Sequence, residues 1–133
     1  MREILFRGKS NWAYGDVKEG DWLYSMTISR HCYNDEEITS YYIGGGNKTI
    51  DGKTLGQYTG LTDKDGKKIF EGDILKATDE HGRTFIYKVV FMNGIFGLVI
   101  KFGGYDCPVV HWQQNCVEVI GNIHDNPELL KGE

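Results

Sequence analysis

The residue types best suited to metal binding or nucleophilic catalysis lie towards the C-terminal end of this sequence: Cys107, His111, Cys116 and His124. Thiolate and imidazole groups bind zinc, but structural zinc sites usually contain closely spaced cysteine pairs, and this segment has none. A Cys–His nucleophile pair would need an activated thiol and a third group that orients the base, and the sequence shows neither. We therefore expect small buried thiols and no catalytic residues. Whether Cys107, His111 and Cys116 approach one another stays open.

Two glycine-containing loops have compositions close to those of phosphate and calcium sites, but their spacing is wrong. In Gly44–Thr49 the residue before the lysine is Asn47, where a phosphate loop requires glycine. Counted from Asp63, Gly66 stands fourth, whereas an EF-hand calcium loop requires glycine at the sixth position. We expect turns at both places and no bound cofactor or metal.

Aromatic and basic residues are interleaved at three places that could form a binding surface. These are Tyr87 with Lys88, Lys101 with Phe102, and Arg83 to Phe85. Small β-barrels bind single-stranded nucleic acid by stacking bases on exposed rings inside a basic groove. The formal net charge of −4 weakens that hypothesis, because lysine and arginine drive non-specific binding to phosphates. A protein partner is therefore favoured, since tyrosine and tryptophan often anchor interfaces, and nucleic acid is the alternative.

The elements that must position these residues are predicted to be short β-strands. The 18 glycines, two prolines and 13% aromatic residues favour strands joined by tight turns. Residues 22–29 alternate in a pattern typical of a half-buried strand, with Trp22, Tyr24, Met26 and Ile28 on one face. A further strand is predicted over Thr39–Ile43.

The clearest hairpin in the sequence surrounds Asn93-Gly94, the dipeptide that most favours a two-residue turn. The strands Phe85–Phe91 and Ile95–Phe102 flank it. Near the end of the chain, Asn126 and Pro127 form a helix start, so we expect a short C-terminal helical turn.

Secretion and membrane insertion are not expected. The N-terminus lacks the apolar core of a signal peptide. The longest unbroken apolar run, Val89–Met92, is far shorter than the roughly 20 residues of a membrane helix. Three cysteines at irregular spacing do not form a secreted disulfide framework. We expect a cytoplasmic protein.

Three motifs occur in a fixed order along the chain: Trp12–Gly15, Thr54–Leu75 and Val119–Leu130. In this order they resemble the YopX family of phage and prophage proteins. The resemblance implies a gene carried by a phage or prophage in a bacterial host. It also implies an SH3-type small β-barrel in the C-terminal part. The biochemical role of the family is uncharacterised, so the resemblance supplies no catalytic residues.

The signature residues are mostly turn formers, which favours a structural role. Asp63–Gly66 can form one turn and Glu71–Asp73 a second, while Ile69 and Phe70 between them enter the core. The complete set is Gly56, Gln57, Tyr58, Gly60, Asp63, Gly66, Glu71, Gly72, Asp73, Gly121, Asn122 and Pro127.

Together these observations predict a mostly β protein with two parts. Residues 1–54 form an N-terminal β region with a strand or hairpin extension, and residues 55–133 form an SH3-like barrel domain. The predicted function is that of a non-enzymatic binding module that engages a protein partner, with a nucleic-acid-binding barrel as the alternative and an enzyme as the least favoured hypothesis. Self-association is possible, and the strand Thr39–Ile43 is a candidate for pairing between two copies.

Overall fold

The computed structural model describes residues 3–13, 15–32, 39–44, 48–78, 81–92, 94–102, 105–109 and 117–130. Over these residues the protein is mostly β, as predicted, and the paired strands are antiparallel. The strands are β1 (Phe6–Lys9), β2 (Trp22–Ser25), β3 (Ile28–Cys32), β4 (Thr39–Ile43), β5 (Thr49–Ile50), β6 (Gly56–Thr62), β7 (Lys68–Phe70), β8 (Asp73–Thr78), β9 (Thr84–Met92), β10 (Ile95–Phe102), β11 (Tyr105–Val109) and β12 (Val117–Asn122). Two 3₁₀ turns cover Gly52–Thr54 and Pro127–Leu130.

The chain forms two compact units, Met1–Tyr58 and Thr59–Glu133. The units divide within β6, whereas the sequence-based division into 1–54 and 55–133 falls just before that strand. In the first unit, β1 lies between β2 and the start of β6, and a second sheet has the order β3-β4-β5. Its most buried apolar side chains are Ile43 and Ile50, each 2% exposed.

The alternating segment 22–29 is two strands and not one. The hydroxyl of Ser25 accepts a hydrogen bond from the backbone N–H of Thr27 at 3.1 Å, which bends the chain between β2 and β3. The predicted strand Thr39–Ile43 is confirmed as β4. Because β4 lies between β3 and β5, pairing of two copies through this strand would have to displace a neighbour. Self-association stays a prediction.

The second unit contains a five-stranded sheet with the order β11-β10-β9-β8-β12. The predicted hairpin is confirmed, since Ile95 in β10 pairs with Met92 in β9. Asn93 of its turn lies outside the described residues. The core cluster of this unit consists of five buried side chains: Ile69, Leu75, Val89, Leu98 and Val117.

The predicted C-terminal helical turn is confirmed as the 3₁₀ turn Pro127–Leu130, which lies against β9. Leu129 donates its N–H to the carbonyl of Asn126 at 3.1 Å. The side chain of Asn126 points back to β12, where it accepts from the N–H of Asn122 at 3.2 Å. No helix in the described part of the chain is long and apolar enough to cross a membrane.

Candidate protein-interaction surface

The candidate surface lies on the paired strands β1 and β2, and the packing of Gly8 shows which face of β1 lies against the core. A Cβ atom at Gly8 would collide with the buried isoleucine of β5, so this face of β1 lies against the core of the first unit. Side chains alternate along a strand, and Arg7 and Lys9 therefore lie on the opposite face. Across the pair, Tyr24 lies opposite Arg7 and Trp22 opposite Lys9. Two cations and two aromatic rings thus share one face.

Trp22 organises the cations on this face. The guanidinium carbon of Arg7 lies 4.6 Å from the centre of the Trp22 ring, and Nζ of Lys9 lies 5.4 Å from it. Such cation–π contacts contribute about 0.5–2 kcal/mol, more when the cation is shielded from water. Arg7 is only 6% exposed, so its guanidinium forms the buried base of the face.

Tyr24 and Met26 are the parts of this face that reach solvent. Their exposed fractions are 54% and 72%, large values for apolar or aromatic side chains. The bend that Ser25 creates explains the exposure of Met26, because the residue stands outside both flanking strands. We define the β1–β2 surface as Arg7, Lys9, Trp22, Tyr24 and Met26. Tryptophan, tyrosine, methionine and arginine are the residue types enriched at protein interfaces.

The end of β1 is held in place by the 3₁₀ turn that follows β5. The hydroxyl of Thr54 accepts from the N–H of Lys9 at 2.8 Å and donates to the carbonyl of Asp51 at 2.6 Å. The N–H of Asp51 in turn donates to the carbonyl of Lys9 at 2.9 Å. These bonds connect segments far apart in the sequence and give the Lys9 end of the surface a rigid backbone.

Sequence reasoning identified the alternation in β2 but not its orientation. The signal that could have found it is Gly8, because a glycine within a strand often marks a close approach of another chain segment. With Gly8 packed against Ile50, Arg7 and Lys9 lie on the same face as Trp22 and Tyr24, and Tyr24 reaches solvent there while Arg7 is buried.

The signature residue Asp63 has a structural role that the geometry makes clear. The carboxyl is 5% exposed. Its Oδ1 accepts from the N–H groups of Asp65 and Lys67, both at 2.9 Å. Its Oδ2 accepts from the N–H of Val119 at 2.9 Å, across 56 residues of sequence. Burial raises the pKa of Asp63, but the three backbone hydrogen bonds and the charge of Lys67 outweigh it, so the pKa is lowered.

The second signature turn, Glu71–Asp73, is built in a similar way. Asp73 is 2% exposed and accepts from the N–H of Phe70 at 2.7 Å. Gly72 has φ +92°, a left-handed conformation that favours glycine. Its N–H donates to Val89 and its carbonyl accepts from Ile123, both at 2.9 Å. The turn therefore connects β9 with the end of β12.

The remaining signature residues also form turns or close contacts. Asn122 accepts from the N–H groups of His124 and Asp125 through its side chain, and a Cβ at Gly121 would collide with Asn126. Tyr58 is 8% exposed and donates its N–H to Leu5. Gly56 pairs with Arg7 and Gln57 pairs with Phe6. Gly60 and Gly66 have positive φ, and Pro127 begins the C-terminal 3₁₀ turn.

The family model described as YopX protein matches residues 7–131 of this chain. The chain belongs to the YopX family. It is also similar to the SPbeta prophage-derived uncharacterized protein YopX of Bacillus subtilis (strain 168), with 35% identity over 71 residues. That match covers 50% of this chain and 53% of the relative, so it spans about half the length of the curated protein. The resemblance inferred from the three motifs is confirmed.

Among solved structures, the fold is similar to the crystal structure of protein EF1440 from Enterococcus faecalis. The TM-score is 0.55 and the sequence identity 22%, and the alignment covers 98% of this chain and 99% of that one. At this identity the similarity concerns the fold alone.

Two of the binding residues predicted from the sequence, Tyr87 and Lys88, lie on opposite faces of β9 in this YopX-family chain. Tyr87 packs against the core cluster, and burial raises the pKa of its hydroxyl. Lys88 follows Tyr87 on the strand, so its side chain lies on the opposite face of the sheet. In the backbone register Lys88 is opposite Ile74 of β8 and Val99 of β10.

The other chemically suggestive residues near the C-terminal end are only partly described. Lys101 and Phe102 pair with Asp106 and Tyr105, and their side chains lie outside the described set. Cys107 lies in β11, while His111 and Cys116 fall outside the described residues. Binding through Tyr87, Lys88, Lys101 and Phe102 stays a prediction.

The lowered pKa of Asp63 predicts a loss of stability in acid. A carboxyl whose folded pKa lies below its unfolded pKa stabilises the fold above the unfolded value. This contribution is lost as the pH falls through the folded pKa. We expect the free energy of unfolding to fall between about pH 5 and about pH 2, and to fall less in Asp63→Asn. Urea titrations of both proteins across this range measure the difference, and parallel curves would contradict the assignment.

Proposed function

We propose that this protein is a non-enzymatic binding module that engages a protein partner through the β1–β2 surface. The supporting observation is the exposure of Tyr24 and Met26 beside Trp22, which holds two cations. Residues of these types contribute most of the binding energy at many interfaces. They also lie on paired strands, which hold them in a defined arrangement.

A protein partner fits this surface better than nucleic acid. Binding to a phosphate backbone requires several exposed cations, and the whole chain carries 19 acidic against 15 basic residues. Arg7 is the buried member of the β1–β2 surface and its guanidinium lies over the Trp22 ring, so it is poorly placed to reach a phosphate. An apolar or aromatic side chain of a partner could instead contact Tyr24 and Met26.

We also propose that the second unit has an SH3-type barrel architecture, although its five-stranded sheet, β11-β10-β9-β8-β12, is not closed over the described residues. Support comes from the Asp63 turn, which lies along the edge of β12. The N–H of Lys64 donates to the carbonyl of Val117 at 3.0 Å, and Val119 donates to the Asp63 carboxylate. Nζ of Lys64 also lies 3.8 Å from the Glu118 carboxylate. These contacts join the β6–β7 connection to the last strand of the five-stranded sheet.

The relatives suggest the biological setting. The similar Bacillus subtilis protein is described as prophage-derived. We propose that this chain is likewise encoded by a phage or prophage and acts in the cytoplasm of the bacterial host. Its partner would then be a host or phage protein.

The test is affinity capture from bacterial host lysate with three forms of the tagged full chain. We expect the wild type and an Ile4→Ser control to capture the same dominant protein. Ile4 is a matched control because it is 49% exposed in the same unit but outside the β1–β2 surface. The double variant Tyr24→Ser/Met26→Ser should reduce capture by about 30-fold, the effect of losing one interface hot spot.

Two results would count against the proposal. Equal capture by all three forms would show that the β1–β2 surface is not the interface. Capture that disappears after nuclease treatment, or that falls steeply with added salt, would indicate nucleic acid instead.

A further inference from the structure

We propose that Met26 is a site of reversible oxidation, and that methionine sulfoxide at this position switches off the β1–β2 surface. This inference rests on the proposed function, because it adds a means of regulation to the same surface. Among the large apolar and aromatic side chains that the structure describes, Met26 is the most exposed, at 72%. Methionine sulfoxide is a modification that dedicated reductases convert back to methionine, so the change can be reversed.

Hydrogen bonds on both sides of Met26 keep it in solvent. The Ser25 hydroxyl accepts from the N–H of Thr27, and the carbonyl of Thr27 accepts from the N–H of Gly44, both at 3.1 Å. Ser25 is also paired with Phe6 of β1. Both neighbours of Met26 are thus fixed to other segments of the first unit, while Met26 itself belongs to neither β2 nor β3. The bend therefore presents the thioether to water.

Oxidation of this thioether requires an accessible sulfur and a peroxide, of which hydrogen peroxide is the simplest. A lone pair of Sδ attacks one peroxide oxygen, so that an S–O bond forms and the O–O bond breaks. The leaving hydroxide takes up the proton of the transferred oxygen and becomes water, while sulfur is oxidised by two electrons. In the reverse reaction a dithiol reductase supplies two electrons and two protons, the sulfoxide oxygen leaves as water and the dithiol becomes a disulfide.

The exposure of Met26 separates an effect on binding from an effect on folding. Oxidation makes an apolar side chain polar. In the free protein the side chain of Met26 already lies in water, and the buried side chains Ile43 and Ile50 form the core of this unit. In the complex the sulfoxide would be buried against an apolar group of the partner, and burial of a polar group without a hydrogen-bond partner is unfavourable. Oxidation therefore weakens binding and leaves the fold intact.

The first test locates the oxidation by peptide mass spectrometry of the full chain after treatment with hydrogen peroxide. The chain has three methionines: Met1, Met26 and Met92. We expect Met26 to be oxidised at a rate close to that of free methionine in the same solution, because its side chain is exposed. Oxidation more than about tenfold slower than that of free methionine would overturn the proposal. So would a loss of stability on oxidation that Met26→Leu does not share.

The second test asks whether the sulfoxide weakens binding. The tagged wild type and Met26→Leu are treated with peroxide and then with dithiothreitol, which reduces disulfides but not sulfoxides. Each is compared with its own untreated form in capture from host lysate that has been freed of small molecules, so that reductases lack their reductant. Leucine is close to methionine in volume and cannot form a sulfoxide. We expect treatment to lower capture of the dominant protein about tenfold in the wild type and to leave the ratio near one in Met26→Leu.

Repair and a permanent mimic test the same step without the leucine variant. Two methionine sulfoxide reductases, one for each epimer of the sulfoxide, should restore capture by the oxidised wild type. Met26→Gln carries a polar amide at this position without any oxidant, and it should capture about tenfold less than the untreated wild type. Capture that stays low after mass spectrometry shows complete repair, or full capture by Met26→Gln, would overturn the proposal.

The proposed function and its regulation by oxidation can fail separately. Suppose that Tyr24→Ser/Met26→Ser loses capture while the wild type, with Met26 shown by mass spectrometry to be the sulfoxide, keeps it. The β1–β2 surface then stands and control by oxidation is wrong. If neither the double variant nor the oxidised wild type differs from the untreated wild type, both proposals are wrong.

Discussion

Asp63→Ala is expected to lower the free energy of unfolding by about 3–5 kcal/mol. The substitution removes the acceptor for three backbone N–H groups, those of Asp65, Lys67 and Val119. A buried donor left without its acceptor costs about 1–3 kcal/mol. Because water can reach part of the turn, we expect the total cost to lie below the maximum for three unsatisfied N–H groups.

The bond to Val119 gives this prediction a local readout. Its amide should lose protection from hydrogen exchange in Asp63→Ala, because the turn no longer holds the edge of β12. Urea unfolding followed by circular dichroism measures the total effect.

Asp65→Ala is the matched control for Asp63→Ala. It removes an exposed carboxyl from the same turn while its N–H is kept, so we expect a change within about 0.5 kcal/mol. Similar losses in the two variants would show that general turn propensity and not the Asp63 carboxylate stabilises the β12 edge.

Gly8→Ala is expected to cost about 2–3 kcal/mol, because the added methyl group collides with Ile50. Overpacking of this kind forces either the side chain or the β1 backbone to move. Ile50 is 2% exposed and has little room to adjust. Thermal and urea unfolding of the single variant measure the cost.

A compensating substitution tests the cause. The nearest atom to the added methyl is Cδ1 of Ile50, which Ile50→Val removes. Alone, Ile50→Val should cost about 0.5–1.5 kcal/mol. In the double variant we expect the two losses to be less than additive by about 1 kcal/mol or more, since the collision is relieved. Additive losses would mean that the requirement for glycine at position 8 has another origin.

Gly8→Ala and the double variant Gly8→Ala/Ile50→Val also test whether the position of β1 affects binding at the proposed interface. If Gly8→Ala shifts β1, the ladder that sets Arg7 and Lys9 opposite Tyr24 and Trp22 shifts with it. Partner capture should then fall in Gly8→Ala and recover in the double variant.

Local features of the sequence were sufficient to predict several elements. The alternation over Phe85–Phe91 and the turn at Asn93-Gly94 predicted the β9–β10 hairpin, because side-chain periodicity and turn chemistry act over a few residues. Pro127 marked the C-terminal 3₁₀ turn for the same reason. The turn-forming role of Asp63–Gly66 also followed from its composition.

Other features depend on residues far apart in the chain. Period-two alternation shows that a strand has two faces, but not which of them is buried when both carry apolar residues. The buried face of the β1–β2 pair is set by the packing of Gly8 against Ile50, which is 42 positions away in the sequence. Tyr87 and Lys88 were grouped as one surface because they are adjacent in sequence, although adjacency within a strand places them on opposite faces.

The sequence by itself determined the family, the β character and the positions of the main turns, because these depend on motifs and on short-range chemistry. Only the tertiary structure decided which side of β2 reaches solvent and that the Asp63 carboxylate binds the N–H of Val119. Each of these is a choice between locally equivalent conformations. Packing and hydrogen bonds between distant segments, such as Asp63 with Val119, make that choice.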